Sequence, residues 1–364
     1  GGAFVGLLQA STTGIGREAS ALVNDPYLRR VILFTLLQAT LSTLLAVGLA
    51  IPVARALARQ DRFFGRALLL RLLALPPVLP ALSAVFGILA VFGRNGWLNH
   101  ALAEIGLSLP FSIYGLAGIL IAHVFFNLPL AARLLLNAWL AVPSETWRLA
   151  AQLGMNGRAI LGVIEAPLLR RHLPGIAGFV FLLCCLSFTT VLTLGGGPSA
   201  TTLEVAIYQA LRFDFAPERA ALLALLQLAL CLGLLSFWHG LAEPMPSSAG
   251  LLRPLRRPDR ATRWSRLADA SVLSLAGVFL LTPLLAIVLS GMTAELPALL
   301  AEAAIARALM LSLAVAALAS LLAALLAAGL LIGVRELRRR RATERWAQPL
   351  LSVGLGMLAL PPIV

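Results

Sequence analysis

Seven apolar stretches of about 20 residues or more limit what this chain can fold into, because a helix of that length matches a hydrocarbon core about 30 Å thick. They run from 31 to 54, 72 to 93, 114 to 139, 173 to 194, 219 to 241, 270 to 290 and 308 to 334. A partial stretch precedes them at 1 to 9, and another starts near 347. The chain opens Gly-Gly-Ala without a methionine and closes inside an apolar run, so it reads as a fragment of a longer protein. With 60% hydrophobic and 12% charged residues and a mean hydropathy of +0.92, a water-soluble globular domain is excluded.

The basic residues give the stretches a direction. All 29 are arginine, and the formal net charge is +13. Such a balance often points to nucleic acid, but here the arginines sit in short clusters between apolar runs, so nucleic-acid binding is set aside. Short loops rich in Arg are retained on the cytoplasmic side of a membrane. One set of alternate loops holds 21 arginines, in clusters 55–71, 148–171, 253–266 and 335–345. The intervening loops hold six: Arg17, Arg29, Arg30, Arg94, Arg212 and Arg307, together with acids such as Asp25, Glu104, Glu204 and Asp214. A missed or invented span would break this alternation, so it supports the span count as well as the orientation. Cys184, Cys185 and Cys231 all fall inside apolar runs, which makes them small buried residues and not a disulfide framework.

Leu73-Ala74-Leu75-Pro76-Pro77-Val78 recurs as Leu358-Ala359-Leu360-Pro361-Pro362-Ile363. Each copy follows a long apolar helix and an arginine-rich loop. An even number of spans separates the copies, which predicts a parallel repeat with its pseudo-twofold along the membrane normal. The first half is expected over 1–242, a basic cytoplasmic linker over 243–268, and the truncated start of a second half over 269–364. Prolines and polar groups at membrane depth are tolerated where protein or a water-filled cavity faces them. Pro76, Pro77 and Pro80, then His123, Asn127 and Pro129, then Ser187, Thr189, Thr190 and Thr193 are the candidates, each as readily explained by an interhelical hydrogen bond.

The loop from Glu145 to Pro167 carries the most specific pattern. Ser144 and Glu145 supply a cap and a first-turn acid, Gly154 can end the helix, and a second helical stretch from Arg158 to Glu165 should end at Pro167. The chain should then re-enter the membrane near Pro174. An amphipathic helix of this kind either docks into a partner's groove or lies on the lipid surface.

The spacing resembles the EAA loop of ABC importer permeases, in which a proline follows the glycine by thirteen residues, as Pro167 follows Gly154. Ala150 occupies the second alanine position and Ile164 the isoleucine. Arg148, Leu149 and Ala166 depart from the pattern, and Glu145 lies one turn before the missing glutamate. The resemblance implies that Glu145, Ala150, Ala151, Gly154, Ile164 and Pro167 form a coupling loop seated on a cytoplasmic ABC ATPase dimer. The segments 93–98, 123–130 and 194–211 are similar to thiamine permeases within that family. The likeness implies an all-α, polytopic helix bundle of the inner membrane, built of two parallel repeats. It also implies a periplasmic binding protein docking near Gly195, Gly196, Gly197, Pro198, Thr201 and Thr202. Asn127, Phe125 and Thr190 would then border the substrate path, with Phe125, Phe126 and Phe188 offering faces to a cationic thiazolium. ATP and magnesium would be bound by the ATPase, since the chain has no lysine to complete a phosphate-binding loop; no cofactor is expected in this chain, and it is not expected to be an enzyme. A ferric iron importer of the same architecture is the rival. A secondary transporter would need ionisable groups inside its spans, and no Asp or Glu falls in the interior of one. An enzyme reading finds no metal-binding spacing among His100, His123, His172 and His239.

Overall fold

The computed structural model of the protein describes residues 25–107, 112–197, 200–241, 257, 263–292 and 302–339. Every regular element among them is helical. Helix α1, Pro26–Arg59, begins where Asp25 accepts a 2.8 Å hydrogen bond from the Tyr27 amide and Pro26 occupies the first turn, where a missing N–H costs nothing. Gly65, at φ 84°, turns the chain into α2, Arg66–Leu72. As the proline pair predicts, the helix then breaks, into a 3-10 turn at Pro76–Val78. It resumes as α3, Ala81–Phe92, and α4, Trp97–Ala103.

Beyond these lie α5, Leu116–Leu140, α6, Ser144–Gln152, and α7, Gly157–Cys185, the last with a π-turn at Leu161–Glu165. Then come α8, Thr189–Leu194, α9, Leu203–Arg212, α10, Pro217–Leu241, α11, Arg263–Met292, and α12, Ala303–Arg339. Seven of the described helical stretches are long and apolar enough to cross a membrane: α1, α3 with α4, α5, α7, α10, α11 and α12.

The seven apolar stretches of the sequence therefore reappear, with two shifted boundaries. The second span starts at Ala81 and not at 72, because the proline pair removes its first turns. The fourth runs from Gly157 to Cys185 in place of 173 to 194: it passes through Pro167 and Pro174, and breaks at 186–188 before α8. A proline lacks the amide that would bond four residues back and crowds the carbonyl there. The π-turn lies immediately before Pro167 and widens the backbone where the ring must fit. The expected break at Pro167 is thus absorbed as a bulge.

The described residues up to Ile287 belong to one compact unit and those from Val288 onward to a second. In the first unit α1 and α5 form the most extensive helix pair. Alanines Ala39, Ala46, Ala50 and Ala54 on α1 and Ala122, Ala131 and Ala132 on α5 are fully buried, and small residues let backbones approach closely. α7 packs on both, and α10 packs on α7. There Gly178 lies so near the Trp238 ring that a Cβ would collide with it. Phe279 of α11 joins Phe92 and Phe125 at ring-centroid distances of 6.3 Å each. The described part of the second unit is α12 with the end of α11; most α12 side chains are exposed. The second Leu-Ala-Leu-Pro-Pro copy lies outside the described residues, as do most of the linker and the partial spans at either end.

Candidate functional site

The loop singled out by its spacing folds as a short amphipathic helix with one face anchored and the other free. α6 starts after Pro143. Ser144 does not cap it, contrary to expectation: its hydroxyl donates to the Glu145 carboxylate at 2.9 Å, while Glu145 occupies the first turn as expected. Hydrogen bonds from its own amide and from Ser144 hold the exposed Glu145 carboxyl below its usual range. At the other end Gly154 adopts φ 61°. The Met155 amide reaches back to the Ala150 carbonyl at 3.0 Å and the Gly154 amide to Ala151 at 3.1 Å. This pair of bonds satisfies carbonyls that the last turn would leave open, and the left-handed residue it requires is best supplied by glycine.

Trp147 and Ala150 are the buried residues of α6. Leu149, Ala151, Leu153 and Gly154 are exposed, and the two leucines are 55% and 68% accessible. Of the remaining predicted loop residues, Ile164 is half-buried and Pro167 exposed, both on the continuous helix α7. The six predicted positions therefore do not share one surface: Ala150 faces inward while Ala151 and Gly154 face out.

What anchors α6 was not predicted. Glu165, the only carboxylate between residues 146 and 203, has a fully buried side chain at the end of the π-turn. Its Oε2 accepts from Arg55 Nε at 2.7 Å and its Oε1 from Arg257 Nη2 at 2.6 Å and Trp139 Nε1 at 3.2 Å. The Arg257 guanidinium also lies 4.3 Å from the centre of the Trp147 ring. Three of the arginine-rich loops of the sequence thus meet at one carboxylate. A second tie lies beside it, where Asp269 accepts from Arg59 and, at 2.9 Å, from Gln60. Local sequence surrounds Glu165 with Arg158, Arg170 and Arg171, yet its partners are 110 and 92 residues away. The only sequence signal was a lone acid among arginines. Glu165 also lies on the same continuous helix as a span, where sequence reading placed it in a loop.

Between the ends, polar groups pair across helices. Ser42 Oγ and His123 Nδ1 are 2.8 Å apart, Asn127 donates to the Cys184 thiol at 3.4 Å, and Gln38 donates to the Cys184 carbonyl at 3.0 Å. Phe125 is fully buried and packs edge-on to Phe126 at 5.4 Å. Thr190 is buried on α8, and the half-buried Phe188 lies against Tyr208 at 5.2 Å.

At the end opposite the arginine clusters, Gly195, Gly196 and Gly197 make a turn that needs φ 71° at Gly196 and 130° at Gly197. A Cβ on Gly196 would press on the Tyr114 side chain at 3.2 Å, and the Gly115 amide bonds the Leu194 carbonyl at 2.6 Å. Pro198 lies outside the described residues. Thr201 and Thr202 are buried, and the next residue's amide donates to Thr35 on α1 at 3.0 Å. Glu204 is buried too, and among the described residues neither of its carboxylate oxygens has a hydrogen-bond partner. Burial pushes its carboxyl up to about 8. The turn, α9 and the start of α1 are knit together by Tyr27, whose hydroxyl pairs with Gln209 at 3.2 Å, and by an Arg219–Asp25 ion pair at 3.1 Å.

No family model matches the chain. Among curated proteins, a Brucella abortus thiamine transport system permease protein is 46% identical over 365 residues, covering 100% of this chain and 66% of that protein. A Haemophilus influenzae thiamine transport system permease protein is 38% identical, covering 99% of this chain and 67% of that protein. The chain spans slightly less than two thirds of the Brucella relative's length. Among solved structures, one chain of a bacterial alginate ABC transporter, in complex with an alginate pentasaccharide-bound periplasmic protein, matches with a TM-score of 0.53 at 17% identity. It covers 65% of this chain and 85% of that chain, a likeness of fold. Seven membrane-crossing helices and identity along its whole length agree: the chain belongs to the family of thiamine transport system permease proteins.

Proposed function

We propose that the chain is the larger part of the membrane-spanning subunit of an ATP-driven importer, which takes thiamine or its phosphate esters from a periplasmic binding protein. The observation that carries the coupling assignment is α6: a nine-residue helix with Trp147 and Ala150 anchored and Leu149, Ala151, Leu153 and Gly154 offered outward. Two leucines and an alanine make a small apolar patch on the arginine-rich face, which positive-inside retention places in the cytoplasm. Such a patch suits the groove of a cytoplasmic ATPase. On this reading an ATPase dimer, which itself binds ATP and magnesium, closes and pushes α6. The push reaches the bundle because α6 is anchored to it through Trp147 and Ala150, and because beyond the Gly154 turn α7 runs unbroken from Gly157 through the π-turn into the bundle. Only contacts that differ between the two ATPase states can shift the equilibrium of the bundle.

The exposed Gly196 and Gly197, with Pro198, serve as the docking surface for the loaded binding protein on the opposite face, while the buried Gly195, Thr201 and Thr202 support the turn from beneath and do not touch the partner. Asn127 and Thr190 belong to the wall of the path, with Phe125 backing it. Residues 243–268 join this half to a second, parallel half that begins in 269–364.

The test is uptake of labelled thiamine into proteoliposomes holding the full-length permease, its ATPase and its binding protein. Gly154→Asp places a side chain at φ 61° in the turn that closes α6 and should uncouple ATP hydrolysis from uptake while membrane insertion persists. Normal uptake by that variant removes the coupling assignment. Uptake of ferric iron in place of thiamine keeps the architecture and discards the substrate.

A further inference from the structure

The buried cluster at Glu165 contains more positive charge than it needs. One carboxylate faces two guanidinium groups, and Arg55 alone already meets Glu165 at 2.7 Å from the end of α1, a fixed element of the bundle. The second arginine comes from the chain between α10 and α11, and it does something Arg55 does not: while its Nη2 binds Glu165 at 2.6 Å, its planar group lies 4.3 Å from the centre of the Trp147 ring. Trp147 is the anchored aromatic residue of α6. Arg257 is therefore wedged between the helix that receives the push and the carboxylate that ties three elements of the bundle. Its side chain is only 4% exposed, although the chain around it is rich in arginine and proline. Just beyond the connection, on α11, Asp269 is bound by Arg59 and Gln60 at the end of α1. The connection, through Arg257, and the helix that follows it, through Asp269, thus each touch the first half at the end where α6 sits.

We propose that Arg257 is a positioning residue of the coupling machinery, through which the connection between the halves holds α6 at the angle that links its displacement to the bundle. The proposal rests on the reading of α6 as the coupling helix. A guanidinium can stack on an indole and bind a carboxylate with the same plane, whereas an ammonium is a compact charge that cannot do both well. Displacing α6 must therefore either drag Arg257 and Glu165 along or break the stack. Without Arg257, α6 can tilt against the ATPase and leave the bundle behind.

The experiment compares full-length permease variants assembled with ATPase and binding protein in proteoliposomes. It measures thiamine taken up per ATP hydrolysed, and ATP hydrolysis without binding protein. Arg257→Gln should lower the uptake-to-hydrolysis ratio by about tenfold, the scale of coupling between residues in direct contact, and raise hydrolysis in the absence of binding protein. Arg257→Lys should fall between Arg257→Gln and the native protein. Trp147→Leu removes the stack and leaves no charge unpaired, so it should reproduce the uncoupling even if Arg257→Gln fails to assemble, and the double variant should be no worse than either single one.

A merely structural role would lower the amount of assembled complex and leave the ratio unchanged in Trp147→Leu; that result overturns the proposal. Additive losses in the double variant also overturn it. Gly154→Asp separates this from the underlying assignment. If Gly154→Asp uncouples and Trp147→Leu does not, Arg257 is excluded while α6 remains the coupling helix. If neither uncouples, both fall.

Discussion

Two buried carboxylates stand at opposite ends of the same helix bundle and are handled in opposite ways. At the arginine-rich end, Glu165 is met by two guanidinium groups and an indole N–H, so its burial is compensated by hydrogen bonds to both oxygens. At the other end, Glu204 is equally buried with neither oxygen hydrogen-bonded among the described residues, and burial pushes its carboxyl up to about 8. An isolated charge is too costly to bury, so such a group neutralises instead. The difference shows where this protein keeps fixed charge. The arginine-rich end is tied by buried ionic contacts between distant segments, whereas the opposite end is shaped by glycine turns, neutral hydrogen bonds and a half-exposed Arg219–Asp25 pair. An ionic tie resists displacement in a defined direction, which suits a surface that transmits force; a glycine turn sets a shape without carrying load.

The same substitution at the two sites breaks or sharpens this contrast. Glu165→Gln leaves the buried Arg257 and the partly buried Arg55 short of a counter-charge and should destabilise the protein by about 3–5 kcal/mol, seen as a large fall in the thermal midpoint of the purified full-length permease. A midpoint near that of the native protein would mean that the ionic tie is ornamental. Glu204→Gln should act in the other direction and depend on pH. A carboxyl with an ordinary value of 4.5 held at about 8 in the folded state contributes stability fully present below pH 4.5 and lost as the pH rises through 8. The glutamine cannot ionise, so its variant should gain on the native protein by roughly 3 kcal/mol between pH 5 and pH 9. A pH-independent difference in midpoint would cancel the contrast.

The glycine turn offers a smaller effect. Gly197→Ala forces a side chain to φ 130°, at about 1–3 kcal/mol of local strain. It should weaken docking of the loaded binding protein by about tenfold, measured by titrating it against the permease–ATPase complex. An unchanged affinity removes the turn from the docking surface. Smallest is the mid-bundle bond between Ser42 and His123: Ser42→Ala should cost about 0.6 kcal/mol, the usual worth of an interhelical hydrogen bond in a membrane bundle, read from the same thermal midpoints. A loss as large as that of Glu165→Gln would show that polar contacts between the ends carry as much as the ionic tie.

The helices were legible because their cause is local. A run of about 20 apolar residues, the Pro76–Pro77 break and the Gly154 stop each act within a few residues of the chain. Where sequence reading misplaced a boundary, at Pro167, a neighbouring π-turn supplied the missing room, and nothing in a proline announces that its neighbours will widen. Ser144 looked like a cap for the right reason and was displaced by Pro143. Of the coupling loop, sequence identified the segment and the glycine but not its two faces. Ala150 and Ala151 are adjacent and alike, and only the packing of α6 onto the bundle turns one inward and leaves the other exposed.

By itself, then, the sequence determined that this is a membrane helix bundle, which loops share a face and where the glycines must bend it, because hydropathy, charge asymmetry and backbone freedom are properties of short segments. Tertiary structure alone decided that Arg55, Glu165 and Arg257 meet, that Arg257 lies on Trp147, and that Glu204 is buried without a hydrogen-bond partner among the described residues. A charge selects its counter-charge by distance through space, and segments about a hundred residues apart become neighbours only when the helices between them have packed.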